Sequence, residues 1–352
     1  MPGPEPPPTA EEAARAAGFH GYRGLVIDER NGGRRIDAYL SARFPNWSRT
    51  RIARFIQEGV IVSEDRRLKP SSRLAVGERL RLYVPGLAPE TPPPDLPPVI
   101  YEDDRLLIVN KPPGMLVHPS GLRWSWALIG LARQARPGAH LDLVHRLDRE
   151  TSGVVVLTKD TEMNAWCKKA FQQHRVSKTY QALARGLIPW ESQLVDAPLG
   201  HAPGSEIRIR QGVVPDGAEA RTGFRVLAHL PTLTLLACHL HTGRTHQIRA
   251  HLEHLGHPLL GDKLYGHPDA VFLRYLEAGA DPLVRAAAGF PRQALHAWKL
   301  TLPLPNGQEV RAVAPLPPDL QALLDGAAPD WPDGLGADAP GEEEAAPGVE
   351  EG

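Results

Sequence analysis

Apolar positions early in the chain follow first a helical and then an extended rhythm. Arg35–Phe44 places Ile36, Leu40 and Phe44 on one stripe, and Pro45 stops the run. A second helix is predicted after Ser48, a suitable N-cap, with Ile52, Phe55 and Ile56 as its apolar stripe and Gly59 as its stop. Arg49, Arg51 and Arg54 fall on its other faces. A short strand at Val60–Val62 follows. Arg79–Val84 then alternates, with Leu80, Leu82 and Val84 inward and Arg79, Arg81 and Tyr83 outward.

The Pro-dense run Pro85–Pro98 suits neither helix nor central strand and reads as a semi-rigid linker. Beyond it, Leu106–Asn110, Gly153–Thr158, Thr179–Ala184, Thr222–Leu227, Leu233–Leu240 and Leu300–Leu304 have strand character. One helix is predicted after Asp160, with Met163, Trp166, Cys167 and Ala170 on its stripe, and another over Thr245–Leu255. Strands and helices do not alternate regularly, so the expected class is α+β, with a mostly antiparallel mixed central sheet after a small α/β module. The expected organisation is a Pro-rich, unstructured leader (1–23), the basic module (24–84), the linker (85–98), the main domain (99–316) and an acidic tail (317–352). From about residue 326 that tail is too poor in apolar residues to order itself.

A length of 352 residues favours two domains over one core, and 42% apolar with 23% charged residues is ordinary for a globular chain. Charge is unevenly spread. Ten acids and no Lys or Arg follow Arg311, so a net charge of −1 for the whole chain leaves +9 for residues 1–311. A body this basic suits a polyanion partner. No apolar run approaches the roughly 20 residues that span a bilayer, and the start lacks the layout of a signal peptide, so a cytoplasmic protein without a membrane partner is expected. Cys167 and Cys238 sit in apolar surroundings and read as small buried hydrophobes.

The stretch with most chemistry in it is His145–Lys159, HRLDRETSGVVVLTK. Turn formers and then a β-branched strand put Asp148 on a loop feeding into a buried sheet, a good mount for a reactive carboxylate; a turn aspartate with Arg146 as surface partner is the plain alternative. The string closely resembles the signature HRLDxxTSGLLLxAK of the RluA family of pseudouridine synthases. Lys178-Thr179-Tyr180 resembles that family's K-x-Y strand, and Thr242–Leu252 (TGRTHQIRAHL) its third motif. Asn110–Met115, Val117–Pro119 and Leu260–Asp262 agree further, and residues 24–84 look like the alpha-L RNA-binding module fused to many members.

The resemblance implies a cofactor-free isomerase that breaks the N-glycosidic bond of uridine and rejoins uracil through C5. It assigns the essential role to Asp148, a pairing cation to Arg244 and a flat face for the flipped base to Tyr180. It places His145, Arg146, Thr151, His246, Gln247 and Arg249 at the substrate, with Arg146 filling the hole left by the base. Arg49, Arg51 and Arg54 would touch phosphates. The implied partner is large-subunit ribosomal RNA or a ribosome-assembly intermediate, with transfer RNA as the alternative, and the protein is expected to act as a monomer. Two rivals remain. His239, His241, His246, His251, His254 and His257 suggest a metal hydrolase, but His251 and His254 lack H-E-x-x-H spacing, and no metal site is expected. A noncatalytic RNA-binding protein would not need Asp148, Tyr180 and Arg244 together.

Overall fold

The computed structural model describes residues 22–44, 47–83, 94–118, 127–329 and 331. The chain divides into two compact units, Met1–Pro93 and Pro94–Gly352. Residues 1–21 of the expected leader, Val84 at the end of the expected module, 85–93 of the expected linker, and 330 and 332–352 of the expected tail lie outside the described residues.

The first unit contains β1 (Tyr22–Val26), α1 (Ile36–Arg43), α2 (Arg49–Gln57), β2 (Ile61–Ser63) and β3 (Arg79–Tyr83). Its antiparallel sheet has the order β1-β3-β2, with Tyr22 opposite Tyr83 and Val26 opposite Arg79. The module therefore reaches back at least to Tyr22, inside the stretch 1–23 assigned to the leader. Ser48 caps α2 by accepting a hydrogen bond from the Arg51 amide at 3.2 Å, and Ile52 and Ile56 are buried. Arg49, Arg51 and Arg54 are exposed; Arg54 pairs with Glu58, and Arg51 lies over the Phe55 ring.

The second unit comprises β4 (Val99–Glu102), β5 (Leu106–Lys111), α3 (Leu128–Ala135), β6 (Asp142–Leu143), β7 (Ser152–Thr158), α4 (Thr161–Gln172), β8 (Ser177–Arg185), β9 (Ser192–Asp196), β10 (Leu199–His201), β11 (Gln211–Val213), β12 (Arg221–His229), β13 (Leu233–Leu240), α5 (Gln247–His254), α6 (Asp269–Ala278), α7 (Pro282–Ala288), β14 (Leu295–Pro303), β15 (Glu309–Val313) and α8 (Pro318–Leu324). Its main sheet runs β4-β5-β7-β14-β8-β13-β12-β9, with β6 on β7 and β15 on β14; β7–β14 is its parallel pair, and β10–β11 form a separate ribbon. The expected mixed, mostly antiparallel α+β architecture is what forms.

Strand β7 reads as a continuous apolar run because both its faces are covered. Val154 and Val156 pack on Met163, Cys167 and Ala170 of α4, while Val155 and Leu157 pack on Leu128 and Ala132 of α3. Asp160 caps α4 by accepting from the Met163 amide at 2.7 Å. Helix α5 begins two residues later than expected because His246 takes a left-handed conformation, φ 55°.

Helix α8 corrects the assignment of 317–352 to the tail. Its Leu320 and Leu323 are buried with Leu183, Leu235 and Phe290, and Asp319 accepts two hydrogen bonds from Arg292, at 2.6 and 3.0 Å. Acidic composition masks a short leucine stripe. Trp331 also packs on this unit, its ring receiving the Arg285 guanidinium at 5.3 Å.

Gly153 stands where β7 meets β14. It adopts φ +115°, and a Cβ there would lie 2.2 Å from the Ala297 carbonyl oxygen. Gly153→Ala should destabilise the second unit by about 3 kcal/mol, from backbone strain plus overpacking. A urea midpoint matching that of the wild type would refute this account of the glycine.

Candidate active site

Asp148 lies on the loop joining β6 to β7, and both sides of that loop are tied down. The Thr151 amide donates to the Asp148 carbonyl at 3.1 Å, and the Gly114 amide to the Arg149 carbonyl at 2.8 Å. Lys111, fully buried, donates to the carbonyls of Pro112, Met115 and Arg149 at 3.0, 2.9 and 3.0 Å, which uses its three protons. Burial presses the Lys111 pKa down to about 7, against the pull of the Asp148 charge.

The Asp148 carboxylate remains 23% exposed and receives Arg249 Nη1 at 3.1 Å and Gln293 Nε2 at 3.2 Å, both on Oδ2. The same guanidinium grips the wholly buried Asp262 in two-pronged fashion, Nε at 2.7 Å and Nη2 at 3.0 Å, and lies over the Tyr265 ring. Burial alone would favour the neutral acid at Asp148. The charges of His246 and Arg249, the Gln293 amide and Arg146 outweigh it and hold the pKa at about 2. An ionised carboxylate in a largely enclosed site can attack an electron-poor carbon, take a proton or stabilise a cationic sugar carbon.

The structure redistributes several expected roles. Arg244 is exposed, and its Nε donates to the Glu219 carbonyl at 3.0 Å; Arg249, not Arg244, pairs with Asp148. Both arginines stand in the same motif, but only Arg249 lies on the buried side of α5, one residue from Ile248. Gln247 is a tie rather than a substrate ligand. It is buried, accepts from Thr242 Oγ1 and the Arg244 amide, and donates to the Arg221 carbonyl and Thr222 Oγ1, at 2.8–3.0 Å. His145 stacks on Phe171 and accepts from the Val156 amide at 3.1 Å; burial and Lys178 lower its pKa to about 4, which keeps it a neutral acceptor. Thr151 is buried and receives Gln293 Nε2 at 2.5 Å.

Three other expected residues lie around Asp148. The half-buried Tyr180 feels the Asp148 charge, and burial with that charge pushes its phenol pKa upward. His246 is buried beside Asp148, its Nδ1 3.0 Å from the Tyr265 hydroxyl. Arg146 is exposed, and its guanidinium makes no hydrogen bond among the described residues. Sequence reading missed Gln293, Glu150 and Lys263: Lys263 Nζ meets Glu150 Oε1 at 2.6 Å, and Glu150 Oε2 accepts from the Gln293 amide at 3.0 Å. Among the described residues, no three His, Cys, Asp or Glu side chains are placed to hold a metal ion. His251 is tied to Thr222 and the Ala197 carbonyl at 2.9 Å each.

A profile of the RNA pseudouridylate synthase family matches residues 105–254, which span the Asp148 loop and helix α5. Ribosomal large subunit pseudouridine synthase D of Nitrosomonas europaea is 37% identical over 310 residues, covering 85% of this chain and 86% of that protein. The chain belongs to the RNA pseudouridine synthase family. The synthase D of Xanthomonas campestris pv. campestris is 36% identical, covering 86% of this chain and 91% of its own. The solved structure of human RNA Pseudouridylate Synthase Domain Containing 4 aligns with a TM-score of 0.51 at 26% identity, over 66% of this chain and 94% of that one.

Three outcomes follow from this synthase's charge arrangement. Arg249→Lys gives up the fork on Asp262 and should lose about 2–4 kcal/mol in urea unfolding and at least about tenfold in pseudouridine formation. Arg244→Met should keep its single-turnover rate within about threefold; an equally deep loss would restore Arg244 as the partner. Asp148, its folded pKa depressed, stabilises the fold above the ordinary aspartate value of roughly 4, and that contribution disappears as pH falls through the folded value. Stability of Asp148→Asn should therefore vary less steeply below about pH 4 than that of the wild type, and superimposable pH curves would contradict the shift.

Proposed function

We propose that this enzyme isomerises selected uridines of large-subunit ribosomal RNA and that Asp148 is its catalytic carboxylate. The observation that carries the reading is the charge state of Asp148: an anion held ionised by Arg249 and its neighbours, beside Tyr180, in a loop fixed to the sheet. The N-glycosidic bond of uridine breaks between N1 and ribose C1′, the uracil turns, and C5 bonds to C1′ while the C5 proton moves to solvent and N1 gains one. Attack of the carboxylate on C1′ and removal of a ribose proton are both open to Asp148, and both need the anion. Atoms balance without an oxidant or a cofactor.

Tyr180 offers a flat face for the turning uracil, and the exposed Arg146 enters the space the base leaves in the RNA. Arg49, Arg51 and Arg54 contact phosphates, and the +9 charge of residues 1–311 adds the sequence-independent attraction. The choice of ribosomal RNA rests on relatives named for the large ribosomal subunit. The enzyme would then work as a monomer in the cytoplasm, on free RNA or an assembly intermediate. No helix among the described residues is long and apolar enough to cross a membrane.

Asp148→Asn keeps shape but not charge, so RNA should still bind while conversion falls below detection with enzyme in excess. Substantial single-turnover conversion by this variant would end the assignment. Mapping pseudouridine in total RNA from cells with and without the gene should show sites lost from large-subunit ribosomal RNA. Loss confined to transfer RNA would move the substrate while leaving the chemistry in place.

A further inference from the structure

Gln293 has so far appeared only as one of the groups that keep Asp148 ionised, yet it touches the reactive carboxylate directly. Both hydrogen bonds to Asp148 land on Oδ2, from Arg249 and Gln293; Oδ1 takes none from the described residues. Donation to one oxygen occupies its lone pairs and leaves those of the other open to the substrate. A neutral amide does this without adding a further cation to those already acting on the carboxylate.

Gln293 is itself immobilised. It is 2% exposed, its Nε2 also reaches Thr151 Oγ1, and its backbone amide donates to Glu150 Oε2. Its neighbour Arg292 donates through Nη1 to the carbonyls of Glu150, Gln293 and Leu295, and through Nε and Nη2 to Asp319 on α8. The segment runs so close to Gly261 (φ +78°) that a Cβ there would lie 1.8 Å from the Arg292 carbonyl oxygen. Helix α8 thus reaches Asp148 through Asp319, Arg292 and Gln293.

We infer that Gln293 is a positioning residue that pins Asp148 Oδ2 beside Arg249 and presents Oδ1 to the ribose, and that helix α8 holds Gln293 in place through the Arg292–Asp319 pair. The inference rests on the reading of Asp148 as the catalytic carboxylate.

Its test measures single-turnover conversion and RNA affinity on one transcript that the wild type converts. Gln293→Met should slow conversion roughly 10- to 100-fold, the worth of a hydrogen bond to a charged group, with the Kd for RNA within about twofold. Gln293→Glu supplies the signature that a merely structural role would not. Ionised, it repels Asp148; protonated, it donates an O–H to Oδ2. Two carboxylates sharing a site raise one pKa, so conversion should recover as pH falls from about 8 to about 6. The other charges packed around that position, His246, Arg146, Glu150, Lys111, Arg249, Lys263 and Arg292, are the same residues in both enzymes, so the wild-type profile accounts for them.

Asp319→Asn, half-exposed and outside the pocket, should cost about threefold and add nothing to Gln293→Met. It also carries the test if a substitution at 293 does not fold. Conversion by Gln293→Met at the wild-type rate, or a wild-type pH profile for Gln293→Glu, would overturn the positioning role. A wild-type rate for Asp319→Asn would remove α8 from it. Failure of the underlying reading is distinguishable, because Asp148→Asn would then convert the same transcript.

Discussion

One guanidinium shared between two carboxylates organises the second unit. Asp262 is wholly buried and Arg249 nearly so, and a buried ion stripped of its partner costs several kcal/mol. The pair is therefore supported on all sides: the Leu264 and Tyr265 amides donate to Asp262 Oδ1, and the Tyr265 ring lies under the guanidinium. With Nε and Nη2 committed to Asp262, Nη1 points in a fixed direction, where Asp148 meets it. The loop before β7, helix α5, the 260–265 segment and the 291–293 segment must all be in register for that geometry to form.

The fold was legible where periodicity was strong. Strand β13 was read to the residue, and α2 and α4 with their Ser48 and Asp160 caps, because local chemistry and tertiary burial agree there. Strands β4, β6, β10 and β11 have four residues or fewer, too few for a period to show, whereas β15, as long as β3 and alternating between exposed and buried positions, was a readable signal. Helices α3, α6, α7 and α8 were overlooked for different reasons. The Asp281-Pro282 start and Gly289 stop of α7 were readable signals, whereas α8 was hidden by its acidic surroundings.

At the site, the sequence pointed to stretches that the fold brings together but could not divide their residues between the pocket and the architecture. His145, Thr151 and Gln247 spend their polar atoms on the protein itself. Arg244 and Arg249 are equally basic on paper, and burial alone separates them. Gln293 lies 145 residues from Asp148, a contact that no local pattern encodes.

The strand order bears on how the protein is born. Strands β7 and β8 are successive in the main sheet's part of the chain but lie on either side of β14, whose Leu295–Pro303 leaves the ribosome more than a hundred residues after them. Until then the nascent sheet carries two open edges, and the Gln293 amide that touches Asp148 has not yet been made. Long-range closure of this kind is slow and exposes unpaired backbone meanwhile. A chain cut short before β14 can neither join β7 to β8 nor bring Gln293 to Asp148.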